Sequence, residues 1–247
     1  MTARTRTLPR RRAVRVATVG LTAAAALGAA GTASAADGYF TSGPRVTVSH
    51  PYALTTGDVN RDGRPDLVAA GVLPYAAHVF LGTPGGFTAA PDVPTDRSPS
   101  DLLLADIDRD GDEDLAVTTD RVQVALGNGA GAFTTIPGPP VTQSFAIARL
   151  DADGDGRPDL AVTSSAGLAV RTGAVGAYGV PVFNTSASFA SELGSVAAGD
   201  VNGDGRDDVL TAHGGGYLRL HRNTGDFTFA DSDSLLFGAI TDMAVAD

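Results

Sequence analysis

Aspartate or asparagine recurs at alternate positions of a short glycine-containing segment four times along this 247-residue chain. The segments are Asp58-Val-Asn-Arg-Asp-Gly-Arg-Pro-Asp66, Asp106-Ile-Asp-Arg-Asp-Gly-Asp-Glu-Asp114, Asp151-Ala-Asp-Gly-Asp-Gly-Arg-Pro-Asp159 and Asp200-Val-Asn-Gly-Asp-Gly-Arg-Asp-Asp208. Each sets side-chain oxygens at positions 1, 3, 5 and 9. A single Asp-Gly segment is ordinary turn chemistry, since Asp, Asn and Gly favour turns without binding anything. Four segments in register are different, because so many carboxylates packed together repel one another unless a cation offsets them.

A hard cation of calcium's size takes about six to eight oxygen ligands, and alternate residues of a coiled loop can aim their oxygens at one point. In the first segment Asp58, Asn60 and Asp62 do this, Gly63 supplies the left-handed turn, and Asp66 closes the shell in bidentate fashion. Position 7 is Arg64, Asp112, Arg157 and Arg206 in the four segments. A place that accepts either charge is expected to contribute its main-chain carbonyl. The first half of the pattern is shared with EF-hands, which need a bidentate Glu at position 12 and flanking helices. Position 12 here is Ala69, Val117, Val162 and Thr211, and Pro65 and Pro158 stand at position 8 against an exiting helix.

The elements that must hold these loops read as strands. The loop starts are 48, 45 and 49 residues apart, a period that suits a four-stranded blade. Each loop runs into an aliphatic, β-branched stretch: Leu67-Val-Ala-Ala, Leu115-Ala-Val-Thr-Thr, Leu160-Ala-Val-Thr and Val209-Leu-Thr-Ala. A second run follows, then a turn and an aromatic residue: Val79-Phe-Leu-Gly with Phe87, Val124-Ala-Leu-Gly with Phe133, Val170-Arg-Thr-Gly with Tyr178, and Leu218-Arg-Leu-His with Phe227. No helical period interrupts them, so the predicted class is all-β, with residues 36–247 forming one domain.

The Asp-x-Asp/Asn-x-Asp-Gly-x-x-Asp-Leu pattern, with an aliphatic strand and a segment such as Gly129-Ala-Gly-Ala-Phe133, resembles the FG-GAP/VCBS repeat family, which includes the integrin α-subunit propeller. The resemblance implies a calcium-binding β-propeller of four-stranded antiparallel blades with about one Ca2+ per loop. It carries the ligand set to Asp58, Asn60, Asp62 and Asp66; to Asp106, Asp108, Asp110 and Asp114; to Asp151, Asp153, Asp155 and Asp159; and to Asp200, Asn202, Asp204 and Asp208. Relatives of this kind close with seven blades. Four complete blades are expected here, with partial blades at both ends. Gly38-Tyr-Phe40 matches the close of a repeat, and Ile240 to Asp247 matches the approach to a fifth loop starting at Asp247. The expectation is therefore an incomplete ring whose missing strands come from further chain or another molecule.

Residues 1–35 read as a signal peptide: Arg4, Arg6, Arg10, Arg11, Arg12 and Arg15 precede an apolar run from Val16 to Ala30, and Ala33-Ser34-Ala35 offers a cleavage site. Export by the Sec route is expected rather than the twin-arginine route, whose pattern the following residues fit poorly. No later stretch is long enough for a membrane span. Of 18 basic residues, removing the six leader arginines leaves 12 against 28 acidic, a net charge of −16. That field disfavours nucleic acid and anionic membrane as partners. Cysteine is absent, so disulfides are excluded and bound metal is the natural substitute staple.

Catalytic equipment is sparse. Cys and Lys are missing, which removes thiol and amine nucleophiles, and only Glu113 and Glu192 represent glutamate. The reading that follows is a secreted, integrin-like binding or adhesion scaffold with an extracellular protein or glycan partner. The alternative is the propeller part of a secreted polysaccharide-acting lyase or hydrolase, for which Arg171, Arg219, His213 and His221 are the candidates. Simple sugar stacking is disfavoured by the absence of Trp and by the few Phe and Tyr falling mainly at repeat positions expected to be core.

Overall fold

A computed structural model describes residues 43–136, 138, 143–175, 181–189, 194–213, 216–231, 235–236, 243 and 245. The leader, the segment around Gly38, Tyr178 and Asp247 lie outside the described residues. The chain forms four antiparallel sheets with no helix among the described residues. The first sheet contains β1 (Leu54–Gly57), β2 (Asp66–Val72), β3 (Tyr75–Thr83) and β4 (Gly86–Ala89), with the short β5 (Val93–Pro94) added to the start of β3. The second contains β6 (Asp101–Ala105), β7 (Asp114–Thr118), β8 (Val122–Gly127) and β9 (Phe133–Ile136). The third contains β10 (Ser144–Leu150), β11 (Asp159–Ser164), β12 (Gly167–Val175) and β13 (Pro181–Phe189). The fourth contains β14 (Val196–Gly199), β15 (Asp208–His213), β16 (Tyr217–Gly225) and β17 (Thr228–Asp231), and β18 (Leu235–Leu236) pairs with the start of β16.

Every sheet is a simple meander, and first strands of successive sheets lie side by side: β1 with β6, β6 with β10, β10 with β14. This is the arrangement of propeller blades converging on their innermost strands. The sheets do not close into a ring among the described residues. The core is divided among the junctions. Val59, Val68 and Val79 of the first sheet pack with Leu102, Leu115 and Val117 of the second. Val122 and Val124 meet Ile147, Leu160 and Val162 at the next junction, and Leu150, Leu168 and Val170 meet Val196 and Val209 at the third. A strand covered on both faces should be apolar throughout rather than alternating. Strand β7, Asp114–Thr118, is buried at all five positions.

Blade four departs from the spacing expected for it. Val209 pairs with His221, as Leu67 pairs with Phe80, Leu115 with Ala125 and Leu160 with Arg171. The counterpart of Gly82, Gly127 and Gly173 is therefore Asn223, two residues beyond the His221 that ends the run read from the sequence. His221 is fully buried, with its ring 4.5 Å from that of Phe189.

The three glycines are fixed by close approach of backbone. A Cβ on Gly82, Gly127 or Gly173 would stand 2.3, 2.2 or 2.3 Å from the carbonyl oxygen of Pro65, Glu113 or Pro158. That oxygen belongs to the residue before position 9 of the loop and cannot yield without moving the loop. Gly127→Ala is accordingly expected to cost about 1–3 kcal/mol, lowering the melting temperature by about 2–12 °C. A thermal melt of the variant checks this, and an unchanged melting temperature contradicts the packing assigned to these glycines.

Candidate metal centres

Each loop joins the end of a first strand to the start of a second, and the residue before position 1 pairs with position 9: Gly57 with Asp66, Ala105 with Asp114, Leu150 with Asp159, Gly199 with Asp208. Position 2 anchors the loop by turning an apolar side chain inward; Val59, Ile107 and Ala152 are buried. The loops thus stand together at one end of the sheets.

The position-9 aspartates are almost fully buried and act first as clamps. Asp66 Oδ2 accepts the amide of Val59 at 2.9 Å and Oδ1 that of Gly82 at 2.6 Å. Asp159 repeats this with Ala152 and Gly173, both at 2.8 Å. Asp114 accepts Ile107 and Gly127 at 2.8 Å and Asp108 at 3.2 Å. Asp208 accepts Asn223 N at 2.8 Å and the Asn202 side chain at 3.2 Å. Asp66, Asp114 and Asp159 therefore tie the loop's second residue to the end of the third strand, and Asp208 does so through the amide of Val201. Their spacing in the loop points to closing the ligand shell, and nothing local in the sequence signals this bracing role.

The remaining oxygens shape the loop from inside. Position-1 carboxylates accept the position-6 glycine amides: Asp58 from Gly63, Asp106 from Gly111, Asp151 from Gly156, Asp200 from Gly205. Position 3 accepts the position-5 amide, as Asn60, Asp108, Asp153 and Asn202 do. Position 5 accepts the position-7 amide, from Asp62 to Arg64 through Asp204 to Arg206. Arg64, Arg157 and Arg206 also set their guanidinium groups against the position-5 carboxylates Asp62, Asp155 and Asp204.

In the second and third loops the carboxylates converge. One oxygen from each of Asp106, Asp108 and Asp114 lies within 4.8 Å of the others, and so do Asp151, Asp153 and Asp159. Asp106 Oδ1 is buried with no hydrogen-bond partner. Burial pushes the Asp114 carboxyl up to about 6 against the amides of Gly127, Ile107 and Asp108, and the Asp108 charge adds to the rise. Asp159 is likewise pushed up to about 6 by burial, with Asp153 and Asp151 contributing. Asp108 and Asp208 rise for the same principal reason. An all-oxygen donor set, an orphaned inward oxygen and mutually repelling carboxylates, one buried in each cluster, fit a hard divalent cation.

Position 4 is left-handed in all four loops, at φ 56° for Arg61, 67° for Arg109, 77° for Gly154 and 80° for Gly203. Arg61 uses that geometry to reach the next blade, with Nε 2.5 Å from Asp112 Oδ1 and Nη2 donating to the Asp110 carbonyl at 3.3 Å. Position 8 faces the preceding blade: Asp207 Oδ2 accepts the Asp151 amide at 2.9 Å. Among the candidates for polysaccharide chemistry, His221 and Arg171 are buried in the sheets, and Arg219 is partly buried opposite Thr211. The side chain of His213 lies outside the described residues.

An FG-GAP-like repeat model matches residues 58–117, 106–162, 151–211 and 200–247. No curated protein matches the chain in sequence. Among solved structures, the chain is similar to a lectin of Agrocybe aegerita that specifically recognises non-reducing terminal N-acetylglucosamine, at 18% identity and a TM-score of 0.50 over 74% of this chain and 52% of that one. It is also similar to BBS1N in complex with ARL6DN, at 14% identity and a TM-score of 0.50 over 77% and 55%. The Vibrio cholerae biofilm matrix protein Bap1 aligns at 18% identity and a TM-score of 0.40 over 74% and 30%. The chain spans about half the length of the first two structures, and at these identities the likeness concerns the fold.

Clamp and ligand separate by substitution. In chelator, Asp114→Ala leaves buried amides unsatisfied and is expected to cost about 3 kcal/mol, whereas the exposed Asp155→Ala costs no more than about 0.5–1 kcal/mol. Calcium should restore the expected difference for Asp155→Ala: its third loop gains less from the ion than the wild type does. Melting curves of both variants with and without calcium decide, and equal losses in chelator would remove the clamp.

The raised carboxyls also set a pH dependence. A carboxyl whose folded pKa is raised stabilises the metal-free fold below its unfolded pKa, and that contribution is lost as the pH rises through about 6. Metal-free protein is therefore expected to lose this stability between about pH 4 and pH 6, while the gain from added calcium grows over the same range because coordination needs the carboxylate. Melts at about pH 5 and about pH 7.5, each with and without calcium, test the sign. A larger calcium gain at the lower pH contradicts it.

Proposed function

The chain belongs to the FG-GAP-like repeat family, and from that premise we propose that it is an exported calcium-binding scaffold that presents its blades to an extracellular protein or glycan. The observation that carries this reading is the set of four loops at one end of the sheets, each lined with oxygen donors at the same positions. Residues 1–35 would be the leader that exports it. The position-1, -3, -5 and -9 side chains, with the position-7 carbonyls of Arg64, Asp112, Arg157 and Arg206, would hold one calcium per loop. When bound, calcium supplies the positive charge that lets these carboxylates stay ionised side by side.

The opposite end of the sheets supports a binding role. Tyr52, Leu54, Leu73, Tyr75, Phe145 and Tyr217 lie at or just before the starts of first or third strands, away from the loops. Their exposure runs from 42% to 67%. These four rings lie outside the repeat-position aromatics expected to be core, of which Phe87 is exposed and Phe133 and Phe227 are half-buried. Exposed aromatics of this kind offer stacking or apolar contact to a partner. Among the described residues no helix is long and apolar enough to cross a membrane.

At about 1 mM calcium, a site with a dissociation constant of about 0.1–1 mM adds about 0.4–1.4 kcal/mol. Four such sites together should raise the melting temperature clearly over that in chelator. Metal analysis of the purified protein, calcium titration calorimetry and melting curves test the metal, and a pull-down from extracellular material in calcium and then in chelator tests the scaffold. An unchanged melt with no metal bound defeats the calcium assignment.

A further inference from the structure

The repeated geometry of the blade junctions exposes one place where a charge is missing. At the first junction Arg61 leaves a left-handed backbone, crosses to the second loop and finds the carboxylate of Asp112 at position 7. Arg109 occupies the same loop position one blade on and holds the same left-handed backbone. Its reach is equivalent: Arg61 Nη2 lies 3.0 Å from where a Cβ on Gly111 would stand, and Arg109 Nη2 lies 3.9 Å from the same point on Gly156. Gly111 and Gly156 are both position 6 of the loop reached. The third loop, however, carries Arg157 where the second carries Asp112. Position 7 of the third loop thus offers Arg109 no acid to receive it.

What surrounds Arg109 instead is a cleft of about 380 Å3 between the second and third loops, walled by Arg109, Arg149, Glu113, Asp106, Gly156 and Pro158. Arg149 faces Glu113 electrostatically without closing an ion pair. Both arginines are exposed at the mouth. A left-handed arginine costs about 1 kcal/mol over the glycine that the third and fourth loops use at this position. Such strain is kept where the side chain has work to do.

We infer that this cleft receives a carboxylate side chain from a protein partner, held by Arg109 and Arg149 in the way that Asp112 is held by Arg61. Two guanidinium groups suit a carboxylate because their N–H donors match its paired oxygens. The cleft wall contains no aromatic ring, so it offers a sugar no stacking surface and favours an aspartate or glutamate side chain over a uronate. The inference rests on the scaffold reading and names the partner chemistry for one of its faces.

The test uses the full-length protein in calcium at physiological ionic strength. The probes are a fluorescein-labelled hexapeptide with a central Glu-Asp pair, the same peptide with Gln-Asn, and labelled trigalacturonate, each followed by anisotropy. The variants are Arg109→Gly, which installs the residue that Gly154 and Gly203 already place there, and Arg149→Gln. Arg97→Gln, away from the cleft, is the control. The expected result is binding of the acidic peptide but not its amide counterpart, weakened about tenfold in each cleft variant and unchanged in the control. Equal binding by wild type and cleft variants overturns the inference, as does no binding of the acidic peptide. Trigalacturonate bound through the same arginines without the peptide overturns it in favour of a glycan acid. Failure here is distinguishable from failure of the scaffold reading: calcium-dependent capture of extracellular partners undiminished in Arg109→Gly leaves the scaffold standing and removes the cleft from it.

Discussion

The buried carboxylate at position 9 is the interaction on which the rest of this structure depends. By accepting an amide from the loop's second residue and another from the end of the third strand, Asp66, Asp114 and Asp159 lock each loop to its own sheet. Only then do the side chains at positions 1, 3 and 5 turn inward, because their orientation follows from the amides of a loop already held at both ends. The same lock explains the glycines at the ends of the third strands, whose amides donate to the clamp while their α-carbons lie against the neighbouring carbonyl. Burial of an anion in this way is costly unless it is hydrogen-bonded. Here backbone amides meet that cost, and the raised carboxyls of Asp114 and Asp159 show that they meet it only in part.

The repeat, its period, the strand class and the oxygen-bearing positions were all legible in the residues, because each depends on local spacing that recurs. The dual character of position 9 was not legible. Aspartate is the same letter whether it accepts amides or coordinates a cation, and its partners Gly82, Gly127 and Gly173 lie more than a dozen residues away. The fourth blade hid its register for a related reason. Asn223 stands where the others have glycine, and its side chain donates to the Ala152 carbonyl of the neighbouring blade at 2.9 Å. A sequence pattern keyed on glycine therefore stops at the wrong residue. The left-handed position 4 was half visible, since Gly154 and Gly203 announce it while Arg61 and Arg109 disguise it. The exposed rings of Tyr52, Tyr75, Phe145 and Tyr217 follow no repeat pattern, because burial at a strand end depends on what lies beyond the turn.

Charge is distributed with the same economy. Arginines at position 7 stay within their own sheets, against Asp62, Asp155 and Asp204 and, for Arg64 and Arg206, donating to the Gly82 and Asn223 carbonyls, whereas Arg61 at position 4 leaves its sheet for the next loop. One position therefore tunes a loop and another links loops. Asp207, at position 8, ties backward to the Asp151 amide. These ties are directional and lie at the edge of apolar junctions that supply most of the cohesion.

Because the second and third sheets are each covered on one face by the preceding sheet and on the other by the following one, the described sheets behave as a line of coupled neighbours. In such an array the free energy is close to a sum of unit terms and nearest-neighbour terms. Damage at one junction is then felt by two units and fades beyond them, and sequence can drift in one blade with little demand on blades further along. The differing identities at positions 2, 3, 4, 7 and 8, across four loops that share Asp at positions 1, 5 and 9 and Gly at position 6, are what such loose coupling permits.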